Sequence, residues 1–338
     1  MTEPIVLADG RVRLERRDCM EFMQAQEAGT FDLVFGSPPY EDKRTLGIGF
    51  NLRGEEWVSW FKPIVIESMR VSKGLVAFVV DGSQKDGRYS GVVEMVVADL
   101  IRDGYRAWHT AVYAKSAGIP GSGGKQMFRG DWEPVIQFTR CTGNLPWADS
   151  TACGAPCKFG PGGGFGNRTR NGRRASTIKI RVHASRRPKD KQYGGQAEEV
   201  QNYIPPDIAN PGNFVVCEPI DAVQVGEKVF CGGAQDDPHC HENEAPFPEA
   251  LAARWIRSYC PPGGIVYDPF CGSGTTGKVC VVHGRRFVGT DIRDGIGGLN
   301  TANRRLVTAL GGTFPGLPAD AGLFLPQPAG ARGEREAK

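Results

Sequence analysis

The sequence predicts an α/β fold, a doubly wound sheet interrupted by an irregular insert, and three observations carry that expectation. Short apolar runs bounded by turn residues alternate with stretches of helical periodicity, the pattern of a mostly parallel sheet with helices on both faces. Residues 263–282 run from a strand through an acidic and then a glycine-rich turn into a helix. Between about Cys141 and Ala234 the texture changes to Gly, Pro, Arg and Cys, with "GPGGGFG" inside, which marks an insert or separate small lobe. At 338 residues with 40% hydrophobic content the chain can bury a sizeable core.

The elements follow in order. Val12 to Arg16 alternates as a strand ending at Asp18, and "FDLVF" (31–35) is a second, apolar enough to be buried on both faces. Trp57, Trp60, Phe61, Ile64 and Met69 recur at near-helical spacing, and "GLVAFVVDG" (74–82) is the next strand. A helix over roughly 92–102 precedes two strands, "AWHTAVYAK" and "EPVIQFTR". After the insert, "PEALAARWIRSY" places Leu251, Trp255 and Tyr259 on one helical face, with Pro248 at the first helical position. Strand 265–267, the glycine turn, a helix and the strand "RRFVGTD" complete the pattern, and residues beyond Phe314 read as a loose tail.

No apolar run is long enough to span a bilayer, and the opening residues lack the apolar stretch of a secretory signal, so a cytoplasmic protein without a membrane partner is expected. Ten cysteines suggest disulfides, yet Cys19, Cys260, Cys271 and Cys280 fall in core-like segments, as reduced cysteines do. Cys153, Cys157, Cys231, His239, Cys240 and His241 lack the tight paired spacing of a zinc site, so no metal is expected. From Lys158 to Lys191 eleven Lys and Arg residues face one acid, Asp190. Such a block is either a solvated segment or a phosphate-backbone footprint; Arg168, Arg170, Arg173, Arg174, Lys179, Arg181, Arg186 and Arg187 are the candidate DNA contacts.

Two ligands suit the glycine turn. Gly272 to Lys278 fits G-x-x-x-x-G-K, but Val279 stands where a phosphate-binding loop needs Ser or Thr for Mg²⁺. S-adenosylmethionine is the other: its amino-acid end would rest against Gly272-Ser273-Gly274, with Asp268 taking the ammonium group. Asp291, 23 residues on at the tip of the next strand, would accept from a ribose diol. Near the start of the chain, "SPPY" (Ser37, Pro38, Pro39, Tyr40) leaves a buried strand through two prolines, which makes a stiff arm.

"SPPY" at 37–40, "APFPEALAARWI" at 245–256, "DPFCGSGTT" at 268–276 and "FVGTDI" at 287–292 together resemble the permuted β class of DNA amino-methyltransferases. The resemblance implies a circularly permuted, Rossmann-like methyltransferase sheet with a catalytic half at 1–140, a target-recognition lobe at 141–234, a cofactor half at 235–312 and a flexible tail at 313–338. It implies S-adenosyl-L-methionine as cofactor, contacted by Asp18, Phe247, Asp268, Pro269, Phe270, Gly272, Ser273, Gly274, Thr275 and Asp291. Double-stranded DNA is the implied partner, with the target base flipped out, stacked on Tyr40, and its exocyclic amine held by Ser37 Oγ and the Pro38 carbonyl. A homodimer, a cognate restriction endonuclease on a separate chain and a bacterial or phage source accord with the resemblance. Ser at the first arm position resembles cytosine-N4 members more than adenine-N6 members, so cytosine N4 is favoured and adenine N6 is the alternative. A P-loop NTPase and a non-catalytic DNA-binding protein are the readings from other classes, and each accounts for fewer of these features.

Overall fold

Ten strands of one sheet, numbered here in chain order, frame the molecule: β1 (Ile5–Leu7), β2 (Val12–Arg16), β3 (Phe31–Gly36), β4 (Ser72–Val79), β5 (Arg106–Ala107), β6 (Ala111–Lys115), β7 (Trp132–Thr139), β8 (Phe214–Cys217), β9 (Ile265–Asp268) and β10 (Arg286–Asp291). Six helices accompany them among the described residues: α1 (Cys19–Gln24), α2 (Gly54–Val71), α3 (Val92–Arg102), α4 (Glu249–Tyr259), α5 (Thr275–Val282) and α6 (Leu299–Ala309). The structure is a computed structural model and describes residues 3–41, 49–85, 87–115, 128, 130–156, 207–217, 222–225, 228–231, 247–295 and 298–311.

The strands run β1-β2-β10-β9-β3-β4-β7-β6-β8 across the sheet, and β5 pairs with β7. From β2 through β4 every neighbouring pair is parallel, so all five strands end on one edge. The C-terminal strands β9 and β10 sit between β2 and β3, which are consecutive in the chain. Strand β7 is antiparallel to β4, so its first residues lie on the edge where β3 and β4 finish.

Side chains leave the sheet in two directions. Leu33, Phe35, Leu75 and Ala77 pack with Leu251, Trp255, Val279, Ala302 and Leu306 of α4–α6. Val34, Val76 and Phe78 pack with Phe22, Trp57, Phe61 and Val96 of α1–α3. This is the doubly wound architecture, and each large apolar side chain so buried contributes roughly 1.5–3 kcal/mol. Phe31 and Leu33 are two residues apart yet face opposite layers, because the β3/β4 register shifts between them. The displaced residue is tied down: Asp32 accepts from the Ile265 amide at 2.8 Å and pairs with Lys73 at 3.0 Å.

Several boundaries differ from expectation. The first long strand stops at Arg16, and Asp18 instead caps α1, accepting from the Met20 and Glu21 amides. Helix α6, strand β1 and strand β8 were not among the expected elements, although Leu299, Ala302 and Leu306 fall at helical spacing along α6. Phe214–Cys217 lies inside the stretch expected to form the lobe, but it pairs in parallel with β6 as a strand of the main sheet. Contacts divide the chain into Met1–Asp149 with Gly212–Lys338 as one unit and Ser150–Pro211 as the other, narrower than the 141–234 lobe. In the smaller unit Ala155–Pro156 pairs antiparallel with Ile208–Ala209, and the Gly154 amide donates to the Thr151 carbonyl at 2.8 Å. Among the described residues no helix is long and apolar enough to cross a membrane.

Candidate active site

The common edge of the parallel strands collects the polar groups. Reading across β2, β10, β9, β3 and β4, the chain presents Asp18, Asp291, Asp268, Ser37 and Asp81 at or just beyond the strand ends. Open α/β sheets bind ligands outside these ends, where the winding reverses.

Strand β3 ends at Gly36, and a Cβ there would overlap the Asp268 carboxylate on neighbouring β9. Only glycine lets the two strand ends close this far, and the arm at 37–40 therefore begins beside the acid. Ser37 Oγ donates to the Val79 carbonyl at 2.9 Å and lies 3.3 Å from the Tyr40 hydroxyl. Tyr40 donates to Glu133 Oε2 at 3.0 Å, and Trp57 Nε1 donates to the Pro39 carbonyl at 3.0 Å. The Pro38 carbonyl takes no hydrogen bond among the described residues. Next in the chain, Glu41 is buried and accepts from the Gly54 amide at 2.7 Å and the Ser83 amide at 3.2 Å, tying the arm's far end to α2 and to the loop after β4.

Asp268 is 1% exposed. Its Oδ1 accepts from the Phe270 amide at 2.9 Å and its Oδ2 from Thr276 Oγ1 at 2.6 Å. Burial pushes this carboxyl up to about 7, partly offset by those two hydrogen bonds. Among the described residues each oxygen has one partner and keeps a further acceptor direction, so a cation arriving at the edge would relieve the burial cost. Gly272 (φ 50°) and Gly274 (φ 76°) turn the chain into α5 in the left-handed region that favours glycine.

Asp291 is also buried, with Oδ2 accepting from the Gly272 amide at 2.8 Å and Oδ1 from the Arg293 amide at 2.8 Å; the Arg293 guanidinium closes an ion pair at 3.2 Å. The acid at the β10 tip thus also fixes the glycine turn, a duty its spacing did not reveal. Arg305, 1% exposed on α6, supports the same turn. It donates to the Ser273 carbonyl at 2.8 Å, Ser273 Oγ at 3.1 Å, Thr275 Oγ1 at 3.0 Å and Glu249 Oε1 at 3.1 Å. Lys278, the lysine of the G-x-x-x-x-G-K match, pairs with the same Glu249 oxygen at 2.9 Å.

The remaining expected residues distribute as follows. Phe247 packs edge-on against Phe35 with centroids 5.5 Å apart, on the α4 side. Phe270 points to the other layer, 6.0 Å from Trp60 and 6.1 Å from Phe78 between ring centroids. The Pro269 carbonyl accepts from Thr290 Oγ1 at 3.3 Å. Arg168, Arg170, Arg173, Arg174, Lys179, Arg181, Arg186 and Arg187 lie outside the described residues, as do Cys157, His239, Cys240 and His241.

Sequence reasoning missed Gly36, Glu41, Lys115, Glu133 and Arg305. Gly36 had a readable signal, a glycine between an apolar strand and a Pro-Pro arm. Glu133, an acid opening the apolar run "EPVIQF", had a fainter one.

Residues 31–297 match the family model described as DNA methylase. The chain belongs to this family. The matched span opens on the first residue of β3 and so takes in the arm, the glycine turn and Asp291, while Asp18 and Arg305 lie outside it. Among curated relatives, the orphan methyltransferase M.BamHII of Bacillus amyloliquefaciens is 45% identical over 56 residues, 17% of this chain and 21% of the relative. The DNA adenine methyltransferase YhdJ of Escherichia coli K12 is 53% identical over 45 residues, 13% of this chain and 15% of the relative. These alignments thus span about a fifth or less of the curated relatives' lengths. Among solved structures, the cytosine-N4-specific PvuII DNA methyltransferase superposes with a TM-score of 0.54 at 17% identity, covering 89% of this chain and 93% of that chain, a likeness of fold.

Proposed function

We propose that this protein transfers a methyl group from S-adenosylmethionine to the exocyclic amine of a flipped-out base in double-stranded DNA, with cytosine N4 the favoured target. The observation that carries this reading is the closure of Gly36 on Asp268, which sets the arm and the acidic turn side by side at the winding reversal. The residues fit the cofactor: Asp268 retains acceptor capacity for an ammonium group and is relieved by its charge, and the Gly272-Ser273-Gly274 turn at the α5 N-terminus suits a carboxylate. Asp291 and Asp18 stand on the neighbouring strand ends, where a ribose would lie. When bound, the cofactor supplies an electrophilic methyl group on a sulfonium.

The protein's contribution is positioning. An exocyclic base amine has its lone pair delocalised into the ring and needs acceptors for its N–H groups more than a strong base. Ser37 has one hydroxyl proton, and the Val79 carbonyl, an acceptor only, takes it, so Ser37 Oγ keeps lone pairs for the amine. The Pro38 carbonyl is the second acceptor. Pro-Pro stiffness and the Trp57 bond to Pro39 hold both in place, where a displacement of about 1 Å costs on the order of 100-fold. The basic run at 158–191 is proposed to grip the phosphate backbone.

Ser37 supports cytosine N4 by resemblance, and adenine N6 is the second reading, favoured by the local identity to an adenine methyltransferase. Against an NTPase, Lys278 is paired to Glu249 and Val279 supplies no hydroxyl for Mg²⁺. The test is to incubate the protein with mixed-sequence duplex DNA and methyl-labelled S-adenosylmethionine, digest to nucleosides and identify the labelled base by mass spectrometry. N4-methylcytosine is expected; N6-methyladenine would overturn the choice of base. Absence of label from DNA, with cofactor binding intact, would overturn the substrate.

A further inference from the structure

The arm is held by a carboxylate that lies 93 residues beyond it in the chain. Strand β7 runs against β4, so Glu133 near its start reaches the edge where the arm leaves β3. Glu133 is 8% exposed, accepts the Tyr40 hydroxyl proton on Oε2, and is ion-paired through Oε1 to Lys115 at the end of β6. Neither residue belongs to the arm or to the glycine turn.

We propose that Glu133, ion-paired to Lys115, is a positioning residue for the methyl transfer: it draws the Tyr40 proton away from Ser37, so that Ser37 Oγ meets the base amine with its lone pairs open. The inference rests on the proposed function. With the Tyr40 proton on Glu133, Tyr40 Oη faces Ser37 Oγ at 3.3 Å as an acceptor; without Glu133 the phenol could turn its proton onto Ser37 Oγ. Ser37 has already given its own proton to Val79, so a proton from Tyr40 would occupy a lone pair that the amine needs. Glu133 removes this competition by being the stronger acceptor. Lys115 matters because its ion pair occupies Oε1 and holds the carboxylate with Oε2 turned to the Tyr40 hydroxyl. The phenol itself stays protonated: burial raises its pKa well above the ordinary value, and the charges of Glu133 and Asp81 add to that.

The test combines a resonance with a double-mutant cycle. Protein carrying ¹³Cζ-tyrosine, with the Tyr40 signal assigned by its loss in Tyr40→Phe, is compared with Glu133→Gln; the Tyr40 signal is expected to shift while cofactor binding persists. In single-turnover transfer to DNA, Glu133→Gln is expected to slow the native enzyme about 10-fold, the worth of one hydrogen bond, and to add nothing in the Tyr40→Phe background. Lys115→Met is expected to follow the same pattern and serves if Glu133→Gln does not fold. An unmoved Tyr40 signal, or equal slowing in both backgrounds, overturns the inference. A native protein that labels no DNA would instead overturn the proposed function, while the Tyr40 signal would still decide whether Glu133 holds the arm.

Discussion

Replacing Asp268 by Asn separates the charge of the acid at the β9 tip from its shape. In the folded chain burial lifts this carboxyl from 3.8 to about 7, since one amide and one hydroxyl only partly replace water. Each pKa unit is about 1.36 kcal/mol, so the ionised group weakens the fold by on the order of 4 kcal/mol at pH values above both constants. Between 3.8 and about 7 the folded chain holds a proton that the unfolded chain has released. The contribution to stability is therefore full below the lower value and is lost as pH rises through the upper one. Asp268→Asn has no such titration. In urea unfolding at pH 5 and pH 8, its stability relative to the native protein is expected to rise by about 3 kcal/mol between the two, the part of the window lying above pH 5. The same electrostatics predict the ligand response. Near pH 6 the native protein should release a proton from Asp268 on binding S-adenosylmethionine, read by calorimetry in buffers of different ionisation heat. The Asn variant should lack that release and bind at least about 10-fold more weakly, the worth of a charge-assisted hydrogen bond. Identical pH slopes of stability in the two proteins would refute the reasoning.

Ser37→Ala removes an acceptor for the amine and should slow single-turnover transfer by about 100-fold or more while calorimetry finds cofactor affinity unchanged. Gly36→Ala inserts a Cβ into the Asp268 carboxylate, and urea unfolding should show a loss of roughly 1–3 kcal/mol together with loss of cofactor binding. Asp291→Ala strips the Gly272 amide and Arg293 of their acceptor and should weaken cofactor binding about 10-fold, measured by equilibrium dialysis. Arg305→Met leaves the buried Ser273 carbonyl without its donor, and should lower stability by roughly 1–3 kcal/mol and broaden the amide resonances of the glycine turn.

The sequence alone determined what depends on local pattern. β3 and β4 were legible because strands buried on both faces read as continuous apolar runs; α2 was legible from its aromatic spacing, although Pro63 lies within it. The glycine turn and the stiff arm carried their own signals, since left-handed backbone and proline geometry restrict residue type at each position. Strand β8 escaped because its four residues, short and set in an irregular Pro- and Asn-containing stretch, become a strand only when paired with β6, and pairing is not local. Only the tertiary structure decided how the pieces serve one another. It placed β9 beside β3, so that two segments more than 200 residues apart meet at Gly36 and Asp268, and set Glu133 behind Tyr40 and Arg305 behind Ser273. Such partners have no fixed spacing to read: a hydrogen bond between distant segments depends on strand order and direction, which short-range periodicity does not encode.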